Sequence, residues 1–107
     1  MNTNYVVVYV VAANSDEADA IGLTLVEEKL VACATSVRDV HSLYWWKGKI
    51  ENADETLIVL KTTVHLLDAV VSRVKALHSY RVPEVIALPI VGGNPDYLEW
   101  INASVRQ

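Results

Sequence analysis

The sequence is sparing with cysteine and has no excess of basic residues. Cys33 is the only cysteine among 107 residues, so no disulfide can form within the chain, as is usual in a reducing compartment. Lysine and arginine total 9 against 13 aspartate and glutamate residues, and the formal net charge is −4. Nucleic-acid phosphates attract clustered basic residues. We therefore expect no nucleic-acid partner.

Long apolar runs and a recognisable leader are also missing. No apolar run reaches the ~18 residues that are needed to cross a bilayer. Residues 5–13 are apolar, but residues 1–4 (Met-Asn-Thr-Asn) contain none of the basic side chains that begin a secretory signal. We therefore expect a soluble protein of the cytoplasm without a membrane partner.

Motifs of enzyme chemistry are missing as well. The turn Gly92-Gly93-Asn94-Pro95 lacks the Lys-Ser/Thr end of a phosphate-binding loop. No Ser-His-Asp set is implied, and acidic pairs such as Asp16-Glu17 have the positions of helix-start charges. We expect a protein that is not an enzyme.

What the sequence does contain is a regular succession of strand and helix patterns. Strands are predicted at 5–12, at 31–37 and 40–46 with a bulge between them, from 49 to 62 with a bend or interruption over 51–55, and at 84–90. Helices are predicted at 16–30 after Asn14, from Thr62 or Thr63 to about His78, and from Asn94-Pro95 onwards. Lys47-Gly48 predicts a tight turn.

This order of elements predicts the fold class. It is an α+β, ferredoxin-like βαββαβ sandwich with a four-stranded antiparallel sheet, both main helices on one face, and an extra C-terminal helix. We expect one domain over residues 1–107, since 52% of the residues are hydrophobic and can form a core without disulfide bonds or bound metal ions.

The strands themselves predict self-association. Residues 5–12 carry no charge, and residues 57–60 and 85–90 are continuous apolar runs, whereas a sheet covered on one face normally alternates apolar and polar residues. Two helices cover only one face, and a C-terminal helix of about ten residues can shield no more than an edge. We expect a homo-oligomer.

Two further features suggest sites. Tyr44, Trp45 and Trp46 lie beside the predicted hairpin tip, where they form either an aromatic wall for a ligand or, as we favour, a packing surface within or between subunits. Glu84 follows Pro83 at the mouth of a strand. For this carboxylate we favour a hydrogen bond or ion pair within or between subunits.

The chain resembles the CutA divalent-cation tolerance proteins over nearly its whole length. The resemblance rests on five segments taken together: 32–33 (AC), 42–50 (SLYWWKGKI), 60–63 (LKTT), 82–90 (VPEVIALPI) and 96–101 (DYLEWI). It implies a ferredoxin-like fold, a tight homotrimer and a role in tolerance of copper and other divalent cations. No cofactor is required, and copper or another divalent cation is the candidate ligand.

The resemblance also points to candidate metal ligands, His78 and Cys33. Family members are thought to bind copper through a first-strand cysteine and a histidine pair after the second helix, but this sequence has Ala12 and Leu77-His78 at those positions. His78 alternatively interacts with the helix dipole or donates a hydrogen bond at an interface. Cys33 alternatively packs in the core.

We therefore expect a CutA-like homotrimer whose direct metal contact is weak or shared between subunits. An alternative is a trimeric regulator or small-molecule sensor of the PII type, with ligand sites between subunits, which rests on analogy of fold alone. A third possibility is a purely structural or partner-binding trimer. If a specific site exists, we expect it in a groove near the end of the second helix.

Overall fold

A computed structural model of the chain describes residues 4–107. The elements in chain order are β1 (Tyr5–Ala12), α1 (Ser15–Glu27), β2 (Cys33–Trp46), β3 (Lys49–Thr63), a 3-10 turn (Val64–Leu66), α2 (Leu67–Leu77), β4 (Val85–Pro89) and α3 (Pro95–Ser104). The strands form one antiparallel sheet in the order β2-β3-β1-β4. The predicted α+β, ferredoxin-like sandwich is confirmed.

The two faces of the sheet differ in how they are covered. On β1 every second residue, among them Val8 and Val10, is fully buried in a core that includes Ile21 of α1 and Val70 of α2. Successive side chains of a strand point to opposite faces. The register therefore defines a second face, here called the open face, with these side chains: Tyr5, Val7, Tyr9, Val11, Cys33, Thr35, Val37, Leu57, Val59, Lys61, Ile86 and Leu88.

Helix α1 begins as the sequence predicts and ends earlier. The side chain of Asn14 accepts a hydrogen bond of 2.8 Å from the backbone N–H of Glu17. The predicted extension to Leu30 is wrong because Lys29 adopts a φ of 59°, which lets the N–H groups of Lys29 and Leu30 return to Val26 and Leu25, each at 3.0 Å. This pairing ends a helix and satisfies its last carbonyls.

The start of α2 also differs from the expectation that Thr62 or Thr63 caps it. Thr63 makes no capping hydrogen bond from its side chain; its hydroxyl lies 3.0 Å from Nδ1 of His65. Thr62 is buried, and its hydroxyl donates to the carbonyl of Leu30 at 2.7 Å. A single 3-10 turn leads into the helix in place of a cap.

Strands β2 and β3 form a long hairpin. The predicted interruption over 51–55 is wrong, because cross-strand pairing continues from Val40–Glu55 to Trp46–Lys49. The turn is the predicted one: Lys47 and Gly48 have φ of 50° and 78°, as a type I′ turn requires.

The predicted bulge in β2 is also present. The register shifts between Val37 and Val40, and Asp39 has a φ of 58°, a conformation that aspartate tolerates better than most residues. Because the bulge inserts one residue, the open face carries Thr35 and Val37 before it and Val40 and Ser42 after it.

Helix α3 covers one end of the open face. Asn94 caps it by accepting a hydrogen bond of 3.1 Å from the N–H of Asp96, and Ile101 is fully buried. Towards the β4 side of the face, Ile86 and Leu88 remain 51% and 43% exposed. Among residues 4–107, no helix is long and apolar enough to cross a membrane.

Candidate functional site

A groove of about 540 Å³ opens on the open face at the carboxyl end of β1. Its walls come from that strand end, from the β2–β3 hairpin and from the segment that joins α2 to β4. The lining residues are Val11, Ser42, Leu43, Tyr44, Trp46, Glu55, Tyr80, Arg81, Val82 and Glu84.

His78 holds the joining segment against β1. Its Nε2 lies 2.8 Å from the carbonyl of Val11, and its Nδ1 accepts a hydrogen bond of 2.9 Å from the backbone N–H of Tyr80. Because the carbonyl accepts and the N–H donates, the ring proton sits on Nε2. The side chain is fully buried, and Oε1 of Glu17 lies 3.4 Å from Nδ1. Both ring nitrogens are therefore engaged within the chain.

The floor of the groove contains a buried carboxylate. Glu55 is 8% exposed, and its Oε2 accepts a hydrogen bond of 2.6 Å from the hydroxyl of Tyr80. Burial, and then this hydrogen bond to a carboxylate, raise the pKa of Tyr80 far above its ordinary value, with smaller contributions from the negative charges of Glu55 and Glu17. Oε1 of Glu55 accepts no hydrogen bond from any residue of the described range 4–107.

Two charged side chains lie at the rim of the groove. Arg81 and Glu84 are both exposed and both line it. In the part of the chain that the structure describes, neither takes part in an ion pair. The predicted role of Glu84 in an ion pair or hydrogen bond between subunits stays a prediction.

The three aromatic side chains of the hairpin lie on two different faces. Tyr44 and Trp46 line the groove and are 41% and 50% exposed. Trp45, on the other face of the hairpin, is 72% exposed. The three residues that the sequence groups together therefore serve two surfaces, a groove wall and an outer apolar patch.

Cys33 lies at the other end of the open face, beneath α3. Its Sγ is 3.7 Å from Nζ of Lys61 and 3.7 Å from the hydroxyl of Tyr97. Hydrogen bonding to the sulfur, followed by burial, raises the pKa of Tyr97. The thiol is half-buried and is held by polar neighbours on the open face, so it is not part of the helix-covered core.

The two candidate metal ligands are therefore far apart. Cys33 pairs with Lys61 of β3, and Lys61 pairs with Val7 of β1. His78 contacts Val11, which lies four residues further along β1, about 13 Å at 3.3 Å per residue. Donors to one metal ion lie within ~4 Å of each other. No group of three or more His, Cys, Asp or Glu residues within 4–107 could hold a metal ion. The metal role of each residue stays a prediction.

The structure also places other residues that the sequence singles out. Ala12 is fully buried and follows Val11, so the position at which the resemblance expects a cysteine does lie beside His78. His41 is exposed and 2.8 Å from Asp54, and His65 is exposed.

Sequence reasoning missed the pairing of Glu55 with Tyr80. The signal available was strand alternation, because continuing β3 from Leu57 by two residues puts Glu55 on the open face. The prediction of a bend over 51–55 hid that signal. The partner, Tyr80, is 25 residues away in the chain, and no local sequence feature identifies it as the partner of Glu55.

Comparison with known proteins identifies relatives along nearly the whole chain. Residues 6–104 match the family model described as CutA1 divalent ion tolerance protein. The chain is 47% identical over 102 residues to a rice (Oryza sativa subsp. japonica) relative named Protein CutA 1, chloroplastic, covering 95% of this chain and 58% of that protein. It therefore spans little more than half the length of the rice relative.

A bacterial relative and a solved structure agree. The Escherichia coli protein named divalent-cation tolerance protein CutA is 42% identical over 105 residues, which cover 98% of this chain and 94% of that protein. The crystal structure of CutA1 from Oryza sativa superposes with a TM-score of 0.95 at 45% identity, covering 99% of both chains.

Proposed function

Because this chain belongs to the CutA1 divalent ion tolerance family, we propose that it takes part in the tolerance of divalent cations, copper included. In this proposal it acts as a homotrimer and has no enzymatic activity. The Escherichia coli relative is a divalent-cation tolerance protein by name, and neither its name nor that of the rice relative describes an enzyme.

The observation that carries the assembly is the exposure of the open face. Val37, Ile86 and Leu88 on this face are 43% to 51% exposed. Contiguous apolar surface of this kind is typical of an interface, and copies of the same chain in closed symmetry are the simplest partners. The number three comes from the family resemblance.

Direct contact with copper or another divalent cation is the finer part of the proposal. Within one chain Cys33 and His78 lie at opposite ends of β1, so a site using both takes them from different chains. A metal ion at His78 displaces either the Val11 carbonyl or the Tyr80 N–H from the ring. Both requirements favour weak or shared binding.

The homotrimer can be tested by sedimentation at micromolar concentration. The wild-type chain is expected to sediment at three times 11.8 kDa. Ile86→Glu adds a carboxylate to each open face and is expected to give lighter species. Leu23→Glu is the matched control, since Leu23 is 61% exposed on α1, outside that face, and should leave the trimer intact. A wild-type monomer would contradict the proposal.

The same samples can then be titrated with copper. The wild-type trimer is expected to bind it, and His78→Ala and Cys33→Ala to bind it less, while His41→Ala, at an exposed histidine, binds as the wild type. Equal binding by all variants refutes the assignment of His78 and Cys33 as metal ligands and leaves the rest of the proposal standing.

Cells lacking the protein are expected to grow less well in raised copper, and the Ile86→Glu variant should not restore growth. Unimpaired growth without the protein refutes the tolerance role.

The proposed location is the cytoplasm, where the free thiol of Cys33 stays reduced. The rice relative is named chloroplastic, so location within this family is not uniform. Detection of the protein in a cell fractionation experiment decides the matter for this chain.

A second candidate function, sensing of a small molecule, is favoured by one observation. The groove beside α2 has the volume and the mixture of apolar walls and few polar groups that are usual for ligand sites. In this reading the trimer responds to a ligand as regulatory proteins of the PII type do.

A further inference from the structure

We propose that the tip of the β2–β3 hairpin, residues 45–50, docks in the groove of a neighbouring copy of this chain. The inference rests on the proposed homotrimer and names two surfaces that meet within it. Because the tip occupies the groove, it competes there with the small-molecule ligand of the second candidate function.

The outer part of the hairpin projects beyond the four-stranded part of the sheet. β1 pairs with residues 56–63 of β3, so within the described chain residues 49–55 pair with β2 alone. From Val40 to Trp46 the two-stranded part is six residues long, about 20 Å at 3.3 Å per residue. A two-stranded ribbon is at best marginally stable by itself in water. The projecting part therefore needs a surface to pack against.

The tip carries both apolar surface and positive charge. Trp45 and Ile50 are cross-strand partners and are 72% and 64% exposed. Lys47 and Lys49 lie at the turn, and the tip contains no acidic side chain. The surface that receives the tip must therefore offer apolar contact and negative charge together.

The groove meets both requirements. Val11 and Val82 lie in its wall, and Val82 is 74% exposed. Glu55 and Glu84 line the groove against a single cation, Arg81, and in the described part of the chain Glu84 takes part in no ion pair. Opposite charges on two such surfaces guide their association and fix their register.

A chain cannot fill its own groove with its own tip. Tyr44 and Trp46 of the same hairpin form one wall of that groove, and strand pairing continues to the turn, so the tip cannot fold back. Tip and groove are different surfaces, and a contact that repeats from tip to groove closes into a ring. A ring of three copies uses every tip and every groove.

Cross-linking of full chains tests the contact. In a Cys33→Ser background the introduced cysteine is the only thiol. Ile50→Cys places it on the tip, and Val82→Cys places it in the groove wall. When the two single variants are mixed and allowed to exchange subunits, a short bismaleimide is expected to give covalent dimers. Neither variant alone should give them, because a tip meets a groove and not another tip.

The matched control for cross-linking replaces the tip with a helix position. Leu23 is 61% exposed on α1, on the helix side of the sheet. Leu23→Cys mixed with Val82→Cys is therefore expected to give no covalent dimer under the same conditions.

Charge reversal tests the complementarity separately. Lys49→Glu and Glu84→Lys should each raise the concentration at which the trimer dissociates at least about tenfold. A chain that carries both substitutions should return to within about twofold of the wild type. Glu27→Lys, at an exposed carboxylate of α1, should change that concentration less than about twofold.

Each outcome decides the matter. The docking is overturned, and the homotrimer left standing, if Ile50→Cys cross-links to itself or if the mixture sediments as trimers but gives no cross-link. A double reversal that does not recover has the same meaning. A wild-type monomer overturns both the docking and the homotrimer.

Discussion

At the scale of single residues, one ion pair joins the two helices that cover the sheet. Arg73 of α2 donates to both carboxylate oxygens of Glu28, just after α1, at 2.9 to 3.1 Å. The hydrogen bonds from Arg73 lower the pKa of Glu28 below its ordinary value of 4.5. A two-point contact of this kind fixes orientation better than a contact through one atom.

This pair predicts a defined dependence of stability on pH. Because the pKa of Glu28 is lower in the folded chain than in the unfolded one, its contribution is present above the unfolded value and is lost as pH falls through the folded value. Glu28→Gln is therefore expected to lower the urea midpoint at about pH 6, and its difference from the wild type is expected to shrink as pH falls below the ordinary value of 4.5. Glu27→Gln, at the exposed neighbour, should have no such effect; a difference that persists unchanged at low pH would contradict the role of the charge.

The residues of the candidate site show what sequence can and cannot supply. The sequence singles out His78, Tyr44, Trp46 and Glu84, because their types and positions are unusual. Their grouping around one groove follows from the path of the segment after α2, which periodicity does not describe. Glu55 was missed for the same reason, since its meaning depends on a tyrosine that is remote in sequence.

At the scale of elements, α1 lies unusually close to the sheet. A Cβ added at Gly22 would stand 3.0 Å from Cβ of Ala34 on β2. Gly22 is buried, and the missing side chain allows the close approach of helix and strand. This contact, not backbone freedom, is the reason for glycine inside a helix.

Gly22→Ala is expected to destabilise the chain by about 1 kcal/mol, because the clash with β2 exceeds the gain in helix propensity. Ala20→Gly, at an exposed position of the same helix, measures the propensity difference alone. A double-mutant cycle with Ala34→Gly, followed by urea unfolding, should show a favourable coupling. Stabilisation by Gly22→Ala would show that the helix moves away freely.

The element boundaries divide into local and tertiary cases. The cap at Asn14 and the turn at Lys47-Gly48 were predicted correctly, because their chemistry is contained in a few adjacent residues. The end of α1 and the start of α2 were not. They depend on Lys29 entering the left-handed region and on Thr62 bonding to a carbonyl 32 residues away.

At the scale of the whole molecule, the open face sets the behaviour. α3 protects one end of it and the groove occupies the other, while the apolar side chains between them remain exposed. The sequence predicted this two-sided apolar sheet and the fold that carries it. It could not predict which end α3 covers, since a ten-residue helix fits equally well against several parts of a sheet.

Assembly through this face predicts that thermal stability depends on protein concentration. A tenfold rise in concentration is expected to raise the midpoint by about 4 °C, because mass action favours the associated folded state. Differential scanning fluorimetry at several concentrations measures this. The Ile86→Glu variant should lose the dependence, whereas Leu23→Glu should keep it. A wild-type midpoint that does not change with concentration would argue against coupled folding and association.

The β2–β3 hairpin has a consequence for synthesis on the ribosome. Its strands meet at the two-residue turn of Lys47-Gly48, so the hairpin can close as soon as residue 63 has emerged. The central strand β1 also pairs with β4, which is made last but for α3. Until β4 has emerged, the edge of β1 that pairs with β4 has no partner, in addition to the edge at β2 that stays free in the folded chain. Slow translation of residues 64–84 would prolong that stage and raise the risk of pairing with another nascent chain.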